Sequence, residues 1–357
     1  YSRSSWNPDI MPFFSLLSIY SIWKVWVKSE FKWLLVLGIS FAFVLQSHYL
    51  GLLLVPTMGL FWMLSFLKIY HLPSTIYQPL KRNFIKYSLL GFTSFLILMS
   101  PLVIFDARHG WRNFSAIKIF FTERQTTVSA RPWTSIPKIW PIFRDDYISR
   151  IFVGTNLFWG KFAALAAAIV TFLYTLINKS KIIEFLKSEK PKENQSNIFV
   201  SGFLIVVVWI LFGLLGMGLY KQHVYDHYFG FIFPAIFLLW GGLSQWVYTN
   251  FENDGKILVV TSFILLTVFN LIKNPLRYGA NHQLKRAVEV AERIKNESGG
   301  NRFNLAVIAE RNYEGAYQYF FEKEGDNFVM IDPQKADKTI VSQLFVVCED
   351  FPCQPIN

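Results

Sequence analysis

Long apolar runs recur from residue 10 to residue 273 and are separated only by short charged stretches. They lie at roughly 10–27, 33–46, 49–67, 87–105, 151–177, 198–219, 228–248 and 257–273. Several approach the ~20 residues that cross ~30 Å of hydrocarbon. Because lipid offers no partner to an unpaired backbone amide, such segments must be helices. The pattern predicts a polytopic membrane protein with about eight transmembrane helices.

The composition excludes several other classes of protein. With 53% hydrophobic and only 17% charged residues, the chain has too little charge to cover the surface of a soluble enzyme. It is equally unlike a disordered chain or a disulfide-stapled miniprotein. The net charge of +11 indicates membrane lipid rather than nucleic acid as partner, because basic loops orient helices and attract anionic lipid. Since the chain opens on Tyr1, it is expected to begin partway through a longer protein.

Lysine and arginine are distributed unequally between the two ends of the predicted spans. The loops after the first, third, fifth and seventh spans hold 13 of them in all, with Lys256 alone after the seventh, whereas the other loops hold two outside the stretch 106–150. Basic loops stay in the cytoplasm, so the first set is placed there. The N-terminal stub, 106–150 and the tail after 273 are then extracytoplasmic, with the plasma (inner) membrane as location. Pro56, Pro101 and Pro234 fall inside predicted spans and are expected to kink them.

The tail, 274–357, has a different pattern. It predicts a helix over Gln283–Lys295 that Ser298-Gly299-Gly300 ends, and a second helix near Tyr313–Glu322. Strand-like runs are predicted at Phe303–Ala309, Asn327–Ile331 and Ile340–Val347. The expected fold is an all-α polytopic membrane domain, 1–273, with a small extracytoplasmic α/β appendage, 274–357. Cys348 and Cys353 form a short-loop disulfide if the tail faces an oxidising compartment, or else remain free thiols.

Polar side chains concentrate at the predicted outer ends of the spans. Because desolvating such groups costs free energy, each is expected to have a hydrogen-bonding or ionic partner, or a function. They form four groups, namely Arg3, Asn7 and Asp9; Gln46, Ser47, His48 and Tyr49; Asp106, Arg108, His109 and Arg112; and Lys221, His223, Tyr225, Asp226, His227 and Tyr228. This convergence on one side predicts a binding site at the outer face.

The stretch Phe105–Trp111 has two interpretations. Asp106 and Arg108 form an ion pair where a helix leaves the bilayer, or Arg108 and His109 donate hydrogen bonds to an anionic head group. The whole segment 106–150 carries eight Lys or Arg residues against four acidic ones, with Trp111, Trp133 and Trp140 interleaved. That mixture is typical of a segment lying along the lipid interface. A solvated basic loop is the simpler alternative.

The stretch Tyr220–Tyr228 is the densest polar segment. His223 and His227 at i and i+4, with Asp226 between them, resemble a metal site only weakly, because the H-E-x-x-H pattern is missing. Hydrogen bonding to sugar hydroxyls and phosphate is the favoured role, with Lys221 neutralising the phosphate. No metal site is predicted. The sequence has no glycine-rich nucleotide loop, which disfavours an ATP-driven pump.

Four short motifs resemble landmarks of one family. They are Ser2-Arg3-Ser4-Ser5-Trp6-Asn7-Pro8-Asp9 followed by Met11-Pro12-Phe13-Phe14; Leu45-Gln46-Ser47-His48-Tyr49; Phe105-Asp106-Ala107-Arg108-His109-Gly110; and Asp226-His227-Tyr228-Phe229-Gly230-Phe231. In this order and spacing they resemble the bacterial branch of the GT-C membrane glycosyltransferases, relatives of the protein O-mannosyltransferases and the lipid A aminoarabinose transferases. The resemblance covers about residues 1–273.

The resemblance implies a polyprenyl-phosphate-linked sugar donor and inverting transfer to a lipid, glycan or protein acceptor at the outer face. The family's catalytic aspartate lies in its first extracytoplasmic loop, which nothing here matches. The chain is therefore expected to begin near the third or fourth span of such an enzyme and to be inactive alone. Lys221, Arg108 and Arg3 are carried over as phosphate ligands, and His48, His223 and His227 as residues shaping the donor pocket. A divalent cation is the one cofactor that the resemblance allows.

Two other functions stay open. A transporter or flippase of lipid-linked sugars would need the same outer cations, but alternating access favours inverted repeats and polar residues near mid-membrane, and the sequence shows neither. A structural or assembly subunit would have no use for the clustered polar groups.

Overall fold

The computed structural model describes residues 7–70, 74–122, 128–129, 131–188, 195–221, 224–274, 279, 282–309, 314–332, 336–349 and 353. The chain forms two compact units, Tyr1–Asn274 and Pro275–Asn357.

The first unit is helical throughout its described part. Its α-helices are α1 (Met11–Lys28), α2 (Trp33–Ser47), α3 (Val55–Tyr70), α4 (Ser74–Arg108), α5 (Arg112–Thr122), α6 (Ile136–Pro141), α7 (Leu157–Ile177), α8 (Lys179–Lys187), α9 (Gln195–Leu219), α10 (Phe233–Asn250) and α11 (Glu252–Ile272). Tight 3₁₀ turns occur at Asn7–Ile10, Tyr49–Leu54, Pro132–Ser135 and Asp226–Phe231, and a π-helix spans Ile142–Phe152. Every apolar run seen in the sequence is thus helical.

Six helical segments in the described part of the chain are long and apolar enough to cross a membrane. They are Pro8–Lys28, Tyr49–Tyr70, Tyr77–Arg108, Leu157–Ile177, Gln195–Leu219 and Glu252–Ile272. The chain is therefore a multi-pass helical membrane protein. The sequence predicted about eight spans; of the two that are not among these six, α2 has 15 residues, about 22 Å of helix, and α10 has 18, so the number eight stays a prediction.

Several predicted boundaries are wrong for identifiable reasons. α4 has 35 residues and is longer than the predicted span 87–105, because the polar residues before the apolar run are also helical. The span predicted at 151–177 begins at Leu157, after the π-helix. Pro56 and Pro234 lie in the first turns of α3 and α10, where proline is well tolerated. Pro101 does lie inside α4.

Segment 106–150 contains helices rather than loop alone. It includes α5 and α6, and its end forms the first part of the π-helix. Tyr147 and Ile148 of that helix are fully buried in the core of the unit, together with Trp209, Phe229 and Ile232. The end of the segment therefore belongs to the core, and a position of the rest along the lipid interface stays a prediction.

Glycine allows a close approach of α2 and α4 in this unit. A Cβ atom on Gly38 would lie 2.0 Å from the carbonyl oxygen of Gly91, and one on Gly91 would lie 2.2 Å from that of Leu34. Nearby, the buried hydroxyls of Ser18 and Ser40 hydrogen-bond at 2.8 Å and join α1 to α2. Small residues let backbones approach in this way within membrane bundles. The α1–α2–α4 group is therefore packed on backbone contact.

The second unit is a small α/β fold. Its elements are α12 (Gln283–Ser298), β1 (Phe303–Ile308), α13 (Gly315–Glu324), α14 (Ala336–Thr339) and β2 (Gln343–Cys348). The two strands pair in parallel, from Phe303 opposite Gln343 to Ile308 opposite Cys348. Gly299, with φ of +59°, ends α12 as predicted. The strand predicted at Asn327–Ile331 is reduced to one bridge between Phe303 and Phe328. Cys348 and Cys353 form a disulfide.

Candidate functional site

Histidine and tyrosine rings from two loops meet at one end of the first unit. The ring centroid of His48, after α2, lies 5.7 Å from that of His227 and 5.1 Å from that of Tyr228, both before α10. The ring of Tyr49 stacks on His48 at 4.4 Å. His227 and Tyr228 are thus neighbours of His48 in space although they lie 179 and 180 positions from it in the sequence, and two of the predicted polar groups come together.

Further tyrosines complete the group. Tyr228 contacts Tyr220 edge-on at 5.9 Å and Tyr225 at 5.5 Å, and Tyr225 stacks on His227 at 5.7 Å. The hydroxyl groups of Tyr49, Tyr220 and Tyr228 hydrogen-bond to one another, and burial raises the pKa of Tyr228. We call these six residues, His48, Tyr49, Tyr220, Tyr225, His227 and Tyr228, the His–Tyr cluster. It presents ring faces and hydroxyl groups together.

Backbone geometry fixes the orientation of His48. The residue is extended, with φ of −164°, between α2 and the 49–54 turn, and its Nδ1 accepts a hydrogen bond from the backbone N–H of Leu50 at 3.2 Å. With Nδ1 as acceptor, the neutral ring carries its proton on Nε2. His48 therefore offers one N–H donor within the cluster.

Arg150 ties the cluster to the π-helix. Its guanidinium lies 2.5 Å from a carboxylate oxygen of Asp226 and 3.0 Å from one of Asp146, and donates to the carbonyl of Val224 at 3.1 Å. The planar guanidinium group contacts three acceptors at once, which the ammonium group of lysine does not reproduce. Arg150 thereby holds the residues on either side of Tyr225 in place.

Two buried side chains hold the 226–231 turn in place through hydrogen bonds to its backbone and to the start of α10. The hydroxyl of Tyr147 donates to the carbonyl of Ile232 at 2.6 Å and accepts from the N–H of Ile236 at 3.1 Å. The indole N–H of Trp209 donates to the carbonyl of Phe231 at 3.1 Å. These bonds satisfy buried backbone groups at the junction of the turn and α10. Without them, those backbone groups would have no hydrogen-bond partner in the core. The position of His227 and Tyr228 is thus set by the core.

A third segment approaches the same end. The N–H of Ser129 donates to the carbonyl of Leu219 at 2.8 Å, and Val128 pairs with Tyr220 in an antiparallel bridge. The ammonium group of Lys138 donates to the carbonyl of Tyr220 at 3.4 Å. Lys138 therefore adds a cation beside the cluster.

Burial disfavours the charged form of both histidines. It lowers the pKa of His48 to about 4, with a smaller contribution from the nearby His227, and it also lowers the pKa of His227 against the opposing effect of Asp226. At neutral pH both rings are neutral. They act there as hydrogen-bonding and stacking groups rather than as cations.

We expect the protein to lose thermal stability as the pH falls from 6.5 toward about 4. In that window the unfolded state protonates His48 while the folded state resists, so the unfolded state binds more protons and gains population. The measurement is the Tm in detergent across pH 7 to 4.5. His48→Gln should flatten the slope.

His109→Gln is the matched control for this titration, because His109 is exposed and its ring stacks on Phe105 outside the cluster. An equal slope for wild type and His48→Gln would contradict the role given to His48.

The predicted group of Asp106, Arg108, His109 and Arg112 does not join the cluster. Asp106, only 6% exposed, accepts from the backbone N–H groups of Asn113 at 2.7 Å and Phe114 at 2.9 Å. Those amides lie in the first turn of α5, where a carboxylate is stabilising. Asp106 therefore caps α5 instead of forming an ion pair with Arg108.

The neighbours of Asp106 are also placed apart. Arg108 is exposed at the end of α4, and a ring nitrogen of His109 hydrogen-bonds the carbonyl of Phe105 at 2.7 Å. The side-chain amide of Gln46 donates to the carbonyl of Leu98 at 3.2 Å. Leu98 is therefore the point along α4 that lies beside the loop carrying His48. Asp106 lies about 12 Å farther along that helix, at 1.5 Å per residue.

The remaining predicted residues are Arg3, His223, Lys221 and Asp226. Arg3 and His223 lie outside the described residues. Lys221 is exposed directly after Tyr220. Asp226 faces Arg150 rather than a ligand-like pair of histidines, and among the described residues no group of three His, Cys, Asp or Glu is arranged to hold a metal ion.

Sequence reasoning missed Arg150, Lys138, Tyr147 and Trp209. Arg150 and Lys138 were counted only as members of a basic loop. The i, i+4 spacing of Asp146 and Arg150 was the available signal for helix in that segment. Nothing in the sequence linked Tyr147 or Trp209 to the 226–231 turn, because those contacts join distant segments.

Neither the protein-family models, nor the curated proteins, nor the solved structures compared with this chain match it.

Proposed function

We propose that the first unit is a membrane glycosyltransferase that moves a sugar from a polyprenyl-phosphate donor to a lipid, glycan or protein acceptor at the extracytoplasmic face. The His–Tyr cluster carries this proposal, because it gathers rings, hydroxyl groups and cations from four segments at one end of the helices. The motif resemblance described above supports it independently.

The cluster has the chemistry that a phosphate-linked sugar requires. Tyrosine and histidine rings offer faces for a sugar ring, and their O–H and N–H groups pair with its hydroxyls. Lys138, whose ammonium group donates to the carbonyl of Tyr220, and Lys221, which follows Tyr220 in the chain, are the candidates to supply cations for the phosphate. Fixed cations stabilise a leaving phosphate best when they are already in place.

The transfer itself is an inverting displacement. The acceptor hydroxyl oxygen bonds to the anomeric carbon while the bond from that carbon to the phosphate oxygen breaks. The bonding electron pair leaves with the polyprenyl phosphate, and the acceptor proton passes to a base. Asp106 is not assigned as that base, because its carboxylate oxygens cap α5.

An apolar groove supports a long hydrocarbon chain on the donor. A cavity of about 350 Å³ lies between α1, α9 and α10 and is lined only by apolar and aromatic residues and glycine, among them Leu16, Trp23, Phe203 and Leu239. Its residues on α1 begin at Leu16, about 8 Å along the axis from Met11, which contacts the 226–231 turn, whereas its residues on α9 end at Val206, about 20 Å before Leu219. The groove is therefore a candidate site for the distal part of a long prenyl chain rather than for the isoprene units next to the phosphate.

Photolabelling tests the proposal without requiring turnover. The chain is placed in lipid nanodiscs with a photoreactive polyprenyl-phosphate hexose, and labelled peptides are identified by mass spectrometry. We expect labelling of segments 46–49 and 220–231 that excess unlabelled donor removes. Labelling no stronger than that by the corresponding polyprenyl alcohol would overturn the proposal.

A vesicle assay separates transferase from carrier. Radiolabelled sugar should move from the donor to an acceptor in membranes that contain the protein. Passage of intact donor across the bilayer with no sugar transfer would replace the transferase by a flippase.

A further inference from the structure

The second unit has a cavity of its own, of about 270 Å³. It lies between the first turns of α12, the middle of α13 and Glu349, the residue that follows β2. Parallel α/β units bind ligands beyond the carboxyl ends of their strands, and Glu349 stands at such an end. We propose that this cavity binds a neutral pyranose sugar.

The polar side of the cavity is held by Tyr317 and Glu349. Tyr317 is buried, and its hydroxyl donates a hydrogen bond to the carboxylate of Glu349. The backbone N–H of Glu349 donates to the carbonyl of Ile308 at 3.0 Å, which pins the residue to the end of β1. The carboxylate is therefore fixed at the cavity rather than free to swing into solvent.

The disulfide adds a second constraint on the same residue. Cys348 directly precedes Glu349 and bonds to Cys353, so Glu349 opens a covalently closed loop. A ligand group that is already positioned loses less conformational freedom on binding. Disulfides persist on the oxidising side of a membrane, which is also where glycans are exposed.

An exposed aromatic ring lines the opposite side of the cavity. Tyr319 is 59% exposed although it lies on the same helix as the buried Tyr317, and its ring contacts that of Phe320 at 5.2 Å. An aromatic ring left open at a cavity offers a flat apolar face with a polar rim. The C–H face of a pyranose fits such a surface, while its hydroxyls reach the polar side.

Charge balance selects a neutral ligand. Arg286 and Glu349 both line the cavity, and their opposite charges cancel. A polyhydroxylated molecule can accept from the guanidinium and the Gln283 amide and donate to the carboxylate. An anion or a cation would satisfy one charge and oppose the other. This site is separate from the proposed transferase site, and neither proposal rests on the other.

Saturation-transfer NMR on the whole chain in nanodiscs tests this site. The probes are the methyl glycosides of glucose, galactose, mannose and N-acetylglucosamine, with methyl glucuronide as the anionic comparison. We expect at least one neutral glycoside to bind. Tyr319→Ala and Glu349→Gln should each weaken that binding at least tenfold.

Lys285→Ala is the matched control, because Lys285 is exposed on α12 beside Arg286 but does not line the cavity. It should leave binding unchanged. The proposal is overturned if no neutral glycoside binds, if binding survives both cavity variants, or if the glucuronide binds more tightly than every neutral probe.

Discussion

Arg150→Gln is expected to weaken donor labelling of the first unit at least tenfold, a change of about 1.4 kcal/mol in binding free energy. Arg150 is the one described side chain that joins Asp146, Asp226 and the carbonyl of Val224. Without it, two carboxylates face each other beside the His–Tyr cluster and repel both one another and a phosphate. Glutamine keeps much of the length but none of the charge. The measurement is the donor concentration that gives half-maximal photolabelling.

Arg144→Gln is the control for this variant. Arg144 belongs to the same π-helix but pairs through both nitrogens with its neighbour Asp145, at 2.7 and 2.5 Å. We expect its half-maximal donor concentration to remain within twofold of wild type. Equal losses in the two variants would show a general effect on the π-helix and would remove Arg150 from the site.

Gly91→Ala should lower the stability of the first unit by about 2–3 kcal/mol, the cost of an added group in a tightly packed core. The new methyl group would lie 2.2 Å from the carbonyl oxygen of Leu34, which is backbone and cannot rotate away. α2 and α4 must then separate. A clear fall in Tm in detergent, with early exposure of α4 to protease, is the expected result.

Gly59→Ala provides the comparison in α3. No atom lies within 4 Å of the position of its added Cβ, so only backbone freedom changes. Alanine is the better helix former by about 1 kcal/mol, and the Tm should hold or rise. If Gly91→Ala were as stable as Gly59→Ala, the close contact between α2 and α4 would not exist in the membrane.

Helices were the part of this fold that sequence predicted best. An apolar run within lipid has only one way to satisfy its backbone, so the runs at 10–27 and 198–219 led directly to α1 and α9. Helix ends were less predictable, because the polar first half of α4 has no apolar periodicity to mark it. Apolar content does not fix helix length either, as the 15 residues of α2 show.

The candidate site was predictable only where residues sit at helix ends. His48 and His227 follow and precede apolar runs, so their meeting followed from topology. Asp106 occupies the same kind of position, yet its carboxylate bonds to α5, a helix that the sequence did not reveal. Arg150 was missed because its partners depend on the path of the chain between α6 and α7, which composition does not determine.

The π-helix at Ile142–Phe152 makes this region sensitive to chain length. Its hydrogen bonds close over five residues rather than four, so each turn carries more residues than an α-turn. Removing one residue would let the stretch adopt the tighter α-helical winding, which changes the directions in which its side chains point. Tyr147 and Arg150, which serve the core and the surface respectively, would then lose their common register. A side-chain replacement such as Arg150→Gln removes one of the two anchors, whereas a single-codon deletion disturbs both in one step.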